Sequence, residues 1–222
     1  TSIQSTIEKV LKKVLKKKVL VYGSGRTDAG VHAVEQSAHF DQSKKIENLN
    51  NFINSINYFL SKKKISILNI KKKSNRFHAR FNAKKRIYEY IIINRQAPLS
   101  LDFNRAWHIK SKLDINLMQK AAKLLQGTKD FSTFRASSCG AKTAIKTIDF
   151  ASVIKKKNKI IIIFKSKSFL QQQVRSMVGC LKYVGEKKWS LKYVKKIIFL
   201  KKRMNCAPPA PASGLYLKKI IY

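Results

Sequence analysis

The sequence predicts an α+β fold of two related lobes, and three observations carry that prediction. Helix-period and strand-period segments run in the order helix, strand, strand, helix, strand, strand, and the order returns loosely in the second half. A length of 222 residues at 44% hydrophobic content suffices for one large domain or two small ones. The composition changes around Gln96-Ala97-Pro98-Leu99-Ser100, where a proline interrupts a strand pattern. These place a boundary between residues 1–97 and 98–222, each lobe a sheet with helices on one face, with an active-site cleft expected between the lobes.

Each element has a local reason. Residues 2–18 carry Ile3, Ile7, Val10, Leu11, Val14 and Leu15 on one helical stripe with lysines opposite, and Thr1 with Gln4 offers a capping box. A short strand over 19–22, a glycine-bounded loop over 23–30 and a second strand of mixed polarity over 31–40 follow. Ile46, Leu49, Ile53, Ile56 and Leu60 recur at helical spacing, which predicts a helix over 46–60. Strands are expected over 65–70 and over 84–93, the latter rich in β-branched and aromatic residues. Past the boundary come a helix over 114–125 ended by Gly127, a hairpin of 143–154 with 159–168, helices over 169–184 and 191–201, and an alternating strand over 214–222.

The charge narrows the partner. Forty-eight Lys+Arg against 11 Asp+Glu give a formal net charge of +37, spread along the chain, which favours nucleic acid over an acidic membrane. Lysine runs at 16–18, 71–73 and 155–157 read as the drift of an AT-rich coding bias, solvated faces that add affinity without specificity. Cys139, Cys180 and Cys206 are odd in number and far apart, so neither a disulfide framework nor a CxxC metal site is expected, and a reducing cytoplasm fits. His32, His39, His78 and His108 lack ligand spacing, so no metal or cofactor is expected. The apolar runs at 90–93 and 160–164 are too short to span a bilayer.

Against so few acids, the stretch Gly25-Arg26-Thr27-Asp28-Ala29-Gly30-Val31-His32-Ala33 stands out, because it sets a carboxylate near a guanidinium on a glycine-bounded turn. Two readings of these residues stand side by side. In one, Asp28 caps a turn, Arg26 pairs with it and the glycines supply backbone angles. In the other, Asp28 is a nucleophile, since a neighbouring cation favours the charged form of a carboxylate and a carboxylate can attack a sugar carbon or an activated ring.

This stretch closely resembles the catalytic motif of the TruA-type tRNA pseudouridine synthases, and four further segments resemble later motifs of that family in order. They are Arg76-Phe77-His78-Ala79-Arg80-Phe81 with Arg86-Ile87-Tyr88-Glu89-Tyr90, then Phe131-Ser132-Thr133-Phe134-Arg135, then residues 169–179 with Arg175, then Ala210-Pro211-Ala212-Ser213-Gly214-Leu215-Tyr216-Leu217. The resemblance implies the pseudouridine synthase fold and a cofactor-independent isomerase that converts uridines on the 3′ side of the tRNA anticodon stem-loop, positions 38–40, acting as a homodimer. It implies Asp28 as nucleophile, Arg175 as its partner, Tyr88 as the aromatic stacked on the target base, Leu215 as an apolar wall and Arg26 as the group that holds the base out of its stack.

The residue types suit that chemistry. Isomerisation breaks the bond from base N1 to the sugar, turns the freed base and joins its C5 to the sugar, with no redox change. One carboxylate suffices, whether it captures the sugar or adds to the base, whereas a hydrolase would want a second acid to activate water. An extruded base also needs an aromatic face and a group to fill its place. Two departures stand out. Family chains open on a strand with Tyr-Asp-Gly and Gly-Trp-Gln elements, and this sequence begins after it, which would expose a sheet edge. Gln171-Gln172-Gln173 replaces residues of His and Met character, with an expected effect on packing or RNA contact. A basic RNA-binding or chaperone-like protein on the same fold, with turnover lost, is the alternative class. A metal-dependent nuclease would need clustered acids.

Overall fold

The apolar stripe of the first segment becomes one face of helix α1 (Ile3–Leu15) in the computed structural model, which describes residues 2–222. Ser2 caps it, its hydroxyl accepting from the Ser5 amide at 3.1 Å. The expected capping role of Thr1 lies outside the described residues. Helix α2 (Leu49–Leu60) starts later than the periodicity implied because Asn48 takes the N-cap and accepts from the Asn51 amide. Val10 and Leu11 of α1, Phe52, Ile56 and Leu60 of α2, and Val19 and Val21 close into one core. These belong to a first unit, Thr1–Arg26 with Ser37–Ala83, whose only ladder among the described residues joins β1 (Tyr22–Gly23) to β3 (Ala38–His39) antiparallel.

The strand expected over 31–40 is two strands. Strand β2 (His32–Ala33) and β3 are separated by a bend at Val34 and Glu35, and β2 pairs elsewhere. The strand expected over 65–70 forms no ladder. Asn57 of α2 does a neighbour's work there, donating through Nδ2 to the Ile67 carbonyl (2.9 Å) and accepting through Oδ1 from the Ile67 amide (2.8 Å).

The second unit, Thr27–Gln36 with Lys84–Tyr222, is built on a seven-stranded mixed sheet. Its spine is β4 (Lys85–Asn94), where Arg86, Tyr88, Tyr90 and Ile92 alternate inward. On one side β4 meets β9 (Leu215–Ile221) antiparallel, and β9 in turn holds β2 parallel. On the other it meets β8 (Lys159–Ser166), then β7 (Ile145–Lys156) and β6 (Gly127–Asp130), all antiparallel. Helix α3 (Ile115–Leu124), capped by Asp114, packs on β7 and on α4 (Gln173–Gly185), and α5 (Leu191–Leu200) packs on α3. Helix α4 starts four residues later than expected because Gln172 is left-handed, at φ 60°, and the buried Gln173 side chain accepts from the Leu170 amide.

The class is α+β, as the patterns implied, but the chain divides elsewhere than at 97/98. That point falls inside the second unit. Strand β5 (Trp107–Ile109) pairs parallel with the end of β4, the Arg95 guanidinium donates to the Ala97 and Pro98 carbonyls, and His108 Nε2 lies 2.9 Å from the Arg95 carbonyl oxygen. The proline is part of a tied loop. The two units also differ in scale, a two-stranded ladder with two helices against a seven-stranded sheet with three. Among the described residues no helix is long and apolar enough to cross a membrane.

Candidate active site

Asp28 sits at the head of a tight turn closed by the Val31 amide, which donates to the Asp28 carbonyl at 3.1 Å. Gly30 provides the left-handed residue the turn needs, at φ 80°. The chain then enters β2, where His32 and Ala33 face Tyr216 and Leu217 of β9 and the Val34 amide donates to the Leu217 carbonyl. Backbone pairing therefore fixes the Asp28 turn to the edge of the large sheet.

From that turn the half-buried Asp28 carboxylate accepts from Arg175, Oδ2 to Nη1, at 2.8 Å. The sequence places Arg26 closer, yet Arg175, 147 positions away, supplies the paired cation. Arg26 is exposed and ends the first of the two segments of the first unit. Arg175 lies in the first turn of α4, and its Nε donates to the Ala210 carbonyl at 2.7 Å while the Ala210 amide donates to the Arg175 carbonyl at 3.0 Å. One guanidinium thus spans the Asp28 turn and the segment leading into β9, a fork geometry that lysine cannot supply.

That segment is held closely. A Cβ on Gly179, one turn further along α4, would fall 2.2 Å from the Pro208 carbonyl oxygen, so only glycine lets residues 207–210 lie against the helix. Tyr90, fully buried, donates its hydroxyl to the Pro211 carbonyl at 2.7 Å, and Gly214 leaves space for its ring. Leu215, also buried, opens β9 in register with Tyr90, and Tyr88 lies opposite Leu217. The Tyr88 ring meets Phe169 edge-on at 5.2 Å. The sheet so brings Asp28, Arg175, Tyr88 and Leu215 into one unit from four separate segments.

The electrostatics report the same neighbourhood. Burial pushes the Tyr88 hydroxyl up to about 12, with the Arg86 charge opposing and the Asp28 charge adding to the rise. Tyr90 is raised further by burial, against the pull of Arg175. Arg86, itself buried, donates to the Lys167 carbonyl and sits beside Tyr88 on the inward face of β4. Among the described residues no group of three or more His, Cys, Asp or Glu could hold a metal ion.

Reasoning from sequence had missed Tyr90 as a brace, Ala210 as the second anchor of Arg175, and Gly179. The signal for all three is the proline-rich approach to Leu215, which has to pass a helix at close range.

A family profile described as tRNA pseudouridine synthase matches residues 121–222. Over 221 residues the chain is 61% identical to the tRNA pseudouridine synthase A of Pelagibacter ubique, covering all of this chain and 90% of that protein. The chain belongs to the tRNA pseudouridine synthase A family. Its resemblance extends to the proteins of that name in Ehrlichia canis, 43% identical over 223 residues, and Maricaulis maris, 41% identical over 221, with this chain wholly covered and 90% and 88% of theirs. Membership makes it an isomerase of the tRNA pseudouridine synthase class, and the full-length relatives take in the Asp28 turn that the shorter profile match leaves out.

Proposed function

We propose that this tRNA pseudouridine synthase A relative isomerises uridines on the 3′ side of the tRNA anticodon stem-loop, positions 38–40, with Asp28 as the nucleophile. The observation that carries the reading is the Asp28 to Arg175 pair, a half-buried carboxylate held at one oxygen by a guanidinium that is itself anchored to backbone. Oδ2 is committed to Arg175, and among the described residues Oδ1 is the oxygen left to attack. By the sugar route it bonds C1′ as the N1–C1′ bond breaks, the electron pair leaving with N1. The base then turns, C5 attacks C1′, the carboxylate is released, and the C5 proton departs as N1 gains one. By the base route the same oxygen adds to the ring and is later expelled.

Tyr88 and Leu215 wall the base, and a buried wall excludes the water that would otherwise hydrolyse a captured sugar. Arg26, exposed beside the turn in sequence, occupies the place the base has left. Action as a homodimer in the cytoplasm belongs to the same proposal and rests on the family likeness.

The test is Asp28→Asn assayed on unmodified tRNA, with products mapped by mass spectrometry. Pseudouridine formation should fall roughly a thousandfold or more while tRNA binding stays within about twofold. Turnover retained in that variant removes Asp28 from the mechanism. Pseudouridine found outside the anticodon arm overturns the assigned position, and tRNA binding by the unmodified chain without any product favours the non-catalytic RNA-binding reading.

A further inference from the structure

Four rings in the first unit lie together on a surface to which the steps proposed above assign no part. Tyr22 of β1 lies opposite His39 of β3, and their rings stack at 5.1 Å and 24°. His78 follows at 4.6 Å from His39, and Phe81 at 4.3 Å from His78. Tyr22 is 42% exposed and Phe81 is 74% exposed. Both imidazoles are oriented by backbone: His39 Nδ1 accepts from the Ala79 amide at 3.2 Å and His78 Nδ1 from the Arg80 amide at 3.1 Å. Each acceptance puts the ring proton on Nε2, so each imidazole offers one N–H donor at its far edge.

The rim is basic. Residues 71–83 contain Lys and Arg but no Asp or Glu, Arg76 and Arg80 are exposed, and the Arg80 guanidinium lies 5.9 Å from the Phe81 ring centre. We propose that the surface made by Tyr22, His39, His78 and Phe81 is a stacking platform for unpaired nucleotides of the tRNA. Flat rings match base faces, Nε2–H donors match base carbonyls, and the cations match phosphates. The proposal rests on tRNA being the substrate.

Phe81→Ala and Tyr22→Ala, made separately in the intact chain, test it through tRNA affinity across a salt series and the single-turnover rate at saturating tRNA. Each should weaken binding roughly fivefold to tenfold or more. The slope of log Kd against log salt and the saturating rate should not change, because stacking releases no counterions. Phe81→Trp should restore binding, and Arg80→Gln should lower the slope instead. Unchanged affinity in both alanine variants overturns the platform. So does loss of a dimer at unchanged affinity, which would assign the rings to a second copy. Repeating the series in Asp28→Asn separates the two readings, since that background binds without turnover: affinity lost there supports the platform whatever Asp28 does, and affinity retained overturns it.

Discussion

The turn at Asp28 and the ring surface at Tyr22 and Phe81 lie within a few dozen residues of each other in sequence, yet they are built on opposite principles. Asp28 is held by strand pairing through β2, by Arg175, and through Arg175 by Ala210, and the aromatic residues around it are buried. The rings of the first unit lean on one another, are oriented by backbone at the two imidazole edges, and leave Tyr22 and Phe81 exposed. A bond-making step needs a group fixed to a fraction of an ångström, so it is worth enclosing. A binding step gains from open area that a mobile polyanion can meet in many arrangements.

Breaking this contrast should cost most where one side chain serves two anchors. After Asp28→Asn, the largest effect belongs to Arg175→Lys. A single ammonium cannot reach both Asp28 and the Ala210 carbonyl, so kcat should fall roughly a hundredfold with tRNA affinity within about threefold, measured by single turnover and filter binding. Gly179→Ala comes next, because a methyl would strike the Pro208 carbonyl. It should destabilise by about 1–3 kcal/mol in urea unfolding and lower activity by displacing Ala210, whereas Gly140→Ala, with open space around it, should do neither.

Tyr88→Phe should matter least at neutral pH and show itself in alkali. Burial raises the folded hydroxyl to about 12 from its ordinary value near 10, so the protonated form is favoured in the folded state. That contribution is fully present below about pH 10 and is lost as pH rises from there through about 12. Its upper size is about 2–3 kcal/mol. The phenylalanine variant should lose less stability over that window than the parent, read from denaturant midpoints at each pH.

Long periodic segments were legible in the sequence because their burial is one-sided. The stripe of α1, the alternation of β4 and the hairpin of β7 and β8 all lie within a few residues of where the patterns put them. Strands β5 and β6, three and four residues long, are too short for a period to register. The break at Pro98 does not coincide with the division between the compact units: the proline does interrupt the strand, but side chains of Arg95 and His108 tie the loop down. In the candidate site, the segment resemblance implied Asp28 with Arg175 as its partner, the pairing the structure shows, whereas the residues of the loop alone offered only the adjacent Arg26. Distances across 147 positions have no local signature. The same holds for Cys180 and Cys206, which read as remote and whose free thiols lie 3.6 Å apart.

Strand β9 lies between β2 and β4, so the ledge on which the Asp28 turn rests is made by the sheet's last strand in order of synthesis. A nascent chain on the ribosome can pair β4 with β8, β7 and β6 while the Asp28 turn still lacks its backbone support. The support of that turn is then completed late, after residues 215–221 have cleared the exit tunnel, and a chain stalled before them would lack the strand that β2 pairs with while keeping most of its basic charge.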